Sequence, residues 1–330
     1  MIALKFYLPE FRARVRNLAL PALLAACVLL SGCASLIAPQ SVSLREQRPG
    51  DLPPRAELSK VPFFPQTEYQ CGPAALATVL ANAKVKVKPD DLVSEVYVPD
   101  RKGSLQVEML AAARRHGMIS YELAPRYEDV LREIAAGTPV IVLQNFSVGP
   151  FDNWHYAVAV GYDLDEDNLI LRSGDKQRQV LKAGLNEFVW KRSGYWAMVV
   201  VPPNRIPATA QEASWLSAIA AFERVGTPRV ARTAYTTFLK RWPDNVNAMV
   251  GLANTFYAAG DLKESEKTLR TALARDPDSV VVLNNLAQTL SDQGRNLEAL
   301  ALINRAAAAG GPFAQTVGET RTLILKRVKH

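Results

Sequence analysis

Pro65-Gln66-Thr67-Glu68-Tyr69-Gln70-Cys71-Gly72-Pro73-Ala74-Ala75-Leu76 is the stretch that decides how the chain folds and what it can do. The small apolar run after Gly72-Pro73 predicts a helix over 74–82, with proline where a first-turn N–H is not needed. Cys71 then stands at the positive end of that helix, where the peptide dipoles favour thiolate over thiol. Thiolate is the reactive form, so the position suits a nucleophile. Gln66, five residues earlier, can aim its amide at an oxyanion, with the Cys71 N–H as a second donor. The complementary stretch is Asn153-Trp154-His155-Tyr156-Ala157-Val158-Ala159-Val160-Gly161-Tyr162-Asp163, in which His155 opens an apolar strand 84 residues after the cysteine. A lone cysteine is more often structural, and a lone histidine beside a strand is more often packed or solvated. Together, in this order with Gln66, they read as nucleophile and general acid/base, with Trp154 as a shield against water.

Outward from this pair, helical patterns at 104–116 and 127–136 end at Gly117 and Gly137. They give way to β-rich runs at 139–144, 156–162, 169–172 and 195–201. Helices followed by an antiparallel sheet argue an α+β domain over 61–201. Pro202, Pro203 and Pro207 mark a linker over 202–210. Beyond it the strand signal stops and a 34-residue period begins. Arg241-Trp242-Pro243-Asp244 returns as Arg275-Asp276-Pro277-Asp278, Gly226, Gly260 and Gly294 keep the same spacing, and so do Trp215, Met249 and Leu283. This period resembles the tetratricopeptide repeat and implies an all-α solenoid of three units over 211–311, with a capping helix over 312–330. Its concave face is expected to hold a protein client; the plainer reading is a packing appendage.

Upstream, Leu18 to Leu30 is an apolar run of 13 residues behind a basic start. A membrane span needs about 20, so the run fits a signal-peptide core over 1–32. It closes on Leu30-Ser31-Gly32-Cys33-Ala34, which resembles the lipobox of bacterial lipoproteins. That likeness implies acylation of Cys33, cleavage before it, and a place in the cell envelope. Ala34 points to the outer membrane, facing the periplasm. Residues 33–60, rich in Pro, Ser and charge, are expected to form a tether. With Cys27 removed in the leader, Cys71 is the one thiol left free.

The 330 residues carry a formal charge of +7, of which the leader supplies +3. The basic balance therefore says little about nucleic acid, and basic residues do not cluster with aromatics. Three cysteines make no disulfide framework, and three histidines are too few for an ordinary zinc cage. No metal or other cofactor is expected.

Taken together, Gln-x4-Cys-Gly-Pro-Ala-Ala-Leu and His-Tyr-Ala-Val-Ala-Val-Gly-Tyr-Asp resemble the bacteriocin-leader-peptidase family of papain-like cysteine peptidases, over about residues 61–201. The whole layout resembles its lipoprotein forms with C-terminal tetratricopeptide repeats. The resemblance implies a papain-like fold and thiol-dependent peptide cleavage, with Cys71 as nucleophile, His155 as acid/base and Gln66 as oxyanion donor. The family orients its histidine with an aspartate after the next strand. Here Ser173 holds that place by strand counting and Asp175 is the nearest carboxylate, favoured because a 156–162/169–172 hairpin sets it opposite His155. A transporter segment and a Gly-x4-Gly-Lys loop are missing, so the double-glycine specificity of transporter-fused members is not carried over. The expected function is a membrane-anchored cysteine peptidase that cleaves a peptide or protein substrate through a Cys71 thioester, its repeats recruiting a protein client. The alternatives are a catalytically weak peptide-binding scaffold, or a thiol acyltransferase on the same pair.

Overall fold

The computed structural model describes residues 38–66, 70–147 and 153–328. Its centre is a seven-stranded antiparallel sheet. The strands are β1 (Arg55–Glu57), β4 (Ile119–Glu122), β5 (Val140–Asn145), β6 (Trp154–Asp163), β7 (Asn168–Ser173), β8 (Lys176–Lys182) and β9 (Ala197–Val201). Their order is β4-β9-β5-β6-β7-β8, with β1 paired to the far half of β6. A small ribbon, β2 (Tyr97–Val98) with β3 (Gly103–Ser104), stands apart.

Both faces of the sheet are buried, because successive side chains point to opposite sides. Ile141 and Leu143 of β5, with Tyr156, Val158 and Val160 of β6, face one core. That core is filled by α2 (Cys71–Asn82), α3 (Pro89–Val96) and α4 (Gln106–Arg115) through Leu76, Leu80, Leu92 and Met109. Val140, Val142, Ala157 and Ala159 face the other. There they meet α5 (Tyr127–Ala135) and α6 (Ala183–Lys191), which contribute Val130, Leu131, Ile134 and Trp190. At the β6 bulge between Ala159 and Gly161 the backbone of β1 comes so close that a Cβ on Gly161 would lie 2.9 Å from the Ala56 carbonyl oxygen.

The tether expected over 33–60 is folded wherever it is described. Residues 38–60 carry α1 (Pro39–Glu46) and β1, and both are docked. The amides of Gln40 and Ser41, at the start of α1, donate to the buried carboxylate of Glu187 at 2.9 and 2.6 Å. Four orphan amides open any helix, and an anion is their natural partner. The leader and Cys33 lie outside the described residues.

Several elements carried no clear sequence signal. Helix α3 opens with Pro89, and the Lys88 amide donates to Asp91 Oδ2 at 2.8 Å. Strand β8 (Lys-Gln-Arg-Gln-Val-Leu-Lys) is polar because it forms an exposed edge of the sheet. Strand β4 lies among the first helices, so helices and sheet are not strictly segregated in the chain.

From Pro202 the chain crosses to the helical part under restraint. Arg205 Nη2 donates to the Ala136 carbonyl at 2.6 Å, and the Thr209 amide donates to Glu133 Oε1 at 2.8 Å. Seven helices follow as three pairs and a single: α7 (Glu212–Glu223) with α8 (Pro228–Arg241), α9 (Val246–Ala258) with α10 (Leu262–Arg275), α11 (Val280–Asp292) with α12 (Asn296–Ala309), then α13 (Ala314–Val328). The turns closing α9 and α11 use Gly260 and Gly294 at φ 76° and 82°, where a side chain would be strained. Trp215, Phe222 and Phe238 of α7 and α8 belong to the same core as the sheet, whereas Met249, Leu269, Leu283 and Ile303 form a separate one. The boundary between cores therefore falls inside α9, not at the prolines.

Candidate active site

Cys71 is the first residue of α2, which starts three residues earlier than the helix expected from the sequence. Gly72 is there for contact: a Cβ would lie 2.2 Å from Ser104 Oγ. Ser104 is held in turn by its carbonyl, which accepts the Tyr156 hydroxyl at 3.1 Å. The cysteine sulfur is met by the backbone amides of Tyr156, Gly72 and Cys71 itself, each of which favours thiolate. Burial outweighs them and leaves the thiol pushed up from its ordinary value. Burial thus opposes the thiolate that the helix dipole favours.

His155 is the second residue of β6, opposite Gln144 of β5. The Tyr156 amide that meets the sulfur is the next one along, so Cys71 and His155 are brought to the same end of β6. The ring Nε2 lies 2.9 Å from Ser173 Oγ, and the Phe146 ring stands 6.1 Å away, centroid to centroid. Burial pushes the imidazole down to about 4, since a charge there would lose its water.

Ser173, not Asp175, is the ring's hydrogen-bond partner among the described residues. The strand register explains why. Val158 faces Arg172, so counting on along the ladder puts His155 opposite position 175. Strand β7 leaves the ladder before that point, turning through Gly174 at φ 61° to pair Ser173 with Lys176. Asp175 goes into the exposed turn. Ser173 stays in the strand, buried and diagonal to His155, within side-chain reach.

Gln66 joins the cluster. Its amide donates to the Gly174 carbonyl at 3.0 Å, and its side-chain Nε2 donates to the Tyr156 carbonyl at 3.3 Å. Trp154 does not cover the site: it is 46% exposed and alternates away from His155. The aromatic neighbour of the ring is Phe146, which sequence reading missed. Its position just past the end of β5, the strand paired with β6, is the signal that could have found it.

Residues 58–198 match the model of the Peptidase_C39 like family, and residues 216–280 and 250–314 match that of the tetratricopeptide repeat. The chain is thus a C39-like peptidase-fold domain followed by tetratricopeptide repeats. Among solved structures it is similar to a putative C39-like peptidase from Bacillus anthracis, at 18% identity over 44% of this chain and 97% of that one, with a TM-score of 0.37. It is also similar to a double glycine motif protease from an AMS/PCAT transporter in complex with the leader peptide, at 24% identity over 43% of this chain and 91% of that one, with a TM-score of 0.35. The helical part is similar to the TPR2B-domain:pHsp70 complex of yeast Sti1, at 16% identity over 35% of this chain and 97% of that one, with a TM-score of 0.34. No curated protein matches the chain.

Proposed function

We propose that the protein is a cysteine peptidase of the bacterial envelope, anchored by lipid on Cys33, whose repeats recruit a protein client. The observation that carries the catalytic part is the His155 Nε2–Ser173 Oγ contact at 2.9 Å, at the strand end that also receives the Cys71 sulfur. With Nε2–H donated to the serine, Nδ1 keeps its lone pair for the thiol proton. Buried thiol and buried imidazole both favour their neutral forms. The proton therefore moves as the sulfur attacks: S–H gives its proton to Nδ1 while the S–C bond forms. The carbonyl oxygen takes the electron pair, and the Cys71 amide with a Gln66 amide released from Tyr156 would donate to it. Imidazolium then returns the proton to the leaving amine, the C–N bond breaks, and a thioester remains. Water, giving its proton to His155, completes hydrolysis.

A peptide-binding module of weak catalytic power is the second reading, favoured by one observation: the group on Nε2 is a hydroxyl, which orients the ring without stabilising imidazolium. A peptidyl epoxide probe at neutral pH separates the two. Rapid labelling that disappears in Cys71→Ala and slows sharply in His155→Ala supports the peptidase. Equal, slow labelling of wild type and His155→Ala would sink it. Partition of the thioester between water and an added amine distinguishes hydrolase from acyltransferase.

A further inference from the structure

Strand β4 is the edge of the sheet opposite β8, and among the described residues no strand pairs with its outer side. An open groove of about 450 Å³ runs along it between α4, on one face of the sheet, and α7, the first helix of the repeats, on the other. Its wall includes all of residues 120–124, Arg114 of α4, and Ser214 and Ser217 of α7.

Two observations define what the groove fits. The first is charge. Arg114 Nε is buried without a hydrogen-bond partner among the described residues. Burial, together with the like charge of Arg224 at the end of α7, pushes the guanidinium below its ordinary value. Among the described residues neither arginine enters an ion pair, although Glu122 lies on the same wall. A half-buried, unpaired guanidinium is costly unless a ligand supplies the anion. The second is the backbone. The Leu123 amide donates to the Ala197 carbonyl at 2.9 Å, and Glu122 faces Met198 in the β4–β9 ladder. In an antiparallel pair hydrogen-bonded and non-bonded positions alternate, so the N–H and C=O of Glu122 point away from β9, into the groove.

We propose that this groove receives an extended, acidic segment of the client protein, its main chain pairing with β4 at Glu122 and a carboxylate seated between Arg114 and Arg224. Strand addition to an exposed edge supplies main-chain hydrogen bonds, and the side-chain pocket supplies selectivity. Placement also suits delivery. Glu122 stands level with Met198, Ile141 and Val158 across four strands. At about 4.8 Å per strand and 3.3 Å per residue, His155 is roughly 17 Å away in the plane of the sheet, a reach of about five extended residues. The inference deepens the recruitment half of the proposed function and rests on it for the client. Binding is read without turnover, so failure here and failure of Cys71 labelling are separate results.

The test uses the purified full-length chain and a fluorescent heptapeptide of alternating valine and threonine with a central glutamate. The expected result is saturable binding, about tenfold or more weaker when the glutamate is replaced by lysine, and similarly weakened in Arg114→Gln and in Arg224→Gln. Arg224 is exposed, so its variant keeps the comparison valid should Arg114→Gln fail to fold. The Glu122 amide should become protected from hydrogen exchange on binding. N-methylation of the peptide should abolish binding on one set of alternate residues and leave it intact on the other. Absence of binding, equal affinity for the glutamate and lysine peptides, or indifference to N-methylation would overturn the proposal. So would inorganic phosphate or anionic lipid vesicles binding as tightly through the same arginines, which would mark a simple anion site.

Discussion

At the scale of single residues, burial favours the neutral forms of both Cys71 and His155, and the group that holds the ring is a neutral hydroxyl. His155 titrates at about 4, so its base form persists far into acid. Probe labelling of Cys71 is expected to hold from neutral pH downward and to fall only as pH approaches about 4, where an unburied imidazole would already have failed near 6.5. His155→Ala should slow labelling about a hundredfold. Ser173→Asp places a carboxylate on Nε2. It should raise the imidazole pKa by a unit or more and move the acid limb of the labelling profile upward with it. Ser173→Ala should lower kcat with little change in KM, because the ring loses its orientation and the substrate loses no contact. The same burial links the site to stability. Native His155 has a pKa below the unfolded value, so between pH 6.5 and about 4 the unfolded chain binds the extra proton. Stability should decline by about 3 kcal/mol as pH falls through that window. Denaturant titrations of wild type and His155→Phe across the range would show it, since the variant lacks this slope.

At the scale of elements, glycines mark where one element needs another's full approach. Gly72→Ala would drive a Cβ into Ser104, and Gly251→Ala would place one 2.4 Å from the Tyr235 ring. Each should cost about 1–3 kcal/mol in thermal or denaturant melts. Gly72→Ala should also slow Cys71 labelling, because it shifts the start of α2, whereas Gly251→Ala should leave labelling untouched. These elements also show what was legible beforehand. The helix after Cys71, the strand after His155 and the 34-residue helix pairs were readable because local pattern and tertiary role agree in them. The orienting group was not fixed by counting. His155 and position 175 are in register, and only the turn at Gly174 decides that the carboxylate departs and Ser173 remains. Strand β8 was hidden because an exposed edge needs no apolar alternation, and α1 because its anchor, Glu187, lies 146 residues from Ser41.

At the scale of the whole molecule, two contacts join parts that the sequence treats as separate. Glu187 holds the start of α1, and Glu187→Gln should weaken that hold by about 1.5–3 kcal/mol. Trypsin cleavage after Arg45 and Arg48 would then accelerate, with the rest of the chain intact. Trp215 is buried edge-on against Tyr121, their ring centroids 5.5 Å apart. Trp215→Ala should cost about 3–5 kcal/mol and loosen the first helix pair from the sheet.

Because the core of the sheet continues through α7 and α8 and stops within α9, the seam for heating or cutting lies one helix pair beyond the proline-rich crossing. Calorimetry should resolve an amino-terminal block that includes the first repeat and a carboxyl-terminal block that does not. A chimera spliced at 202–210 would leave a tryptophan-shaped socket beside Tyr121 open to water, whereas one spliced between α8 and α9 would keep the socket filled. The interchangeable cartridge of this protein is therefore the last two repeats with their terminal helix; the first repeat travels with the C39-like domain.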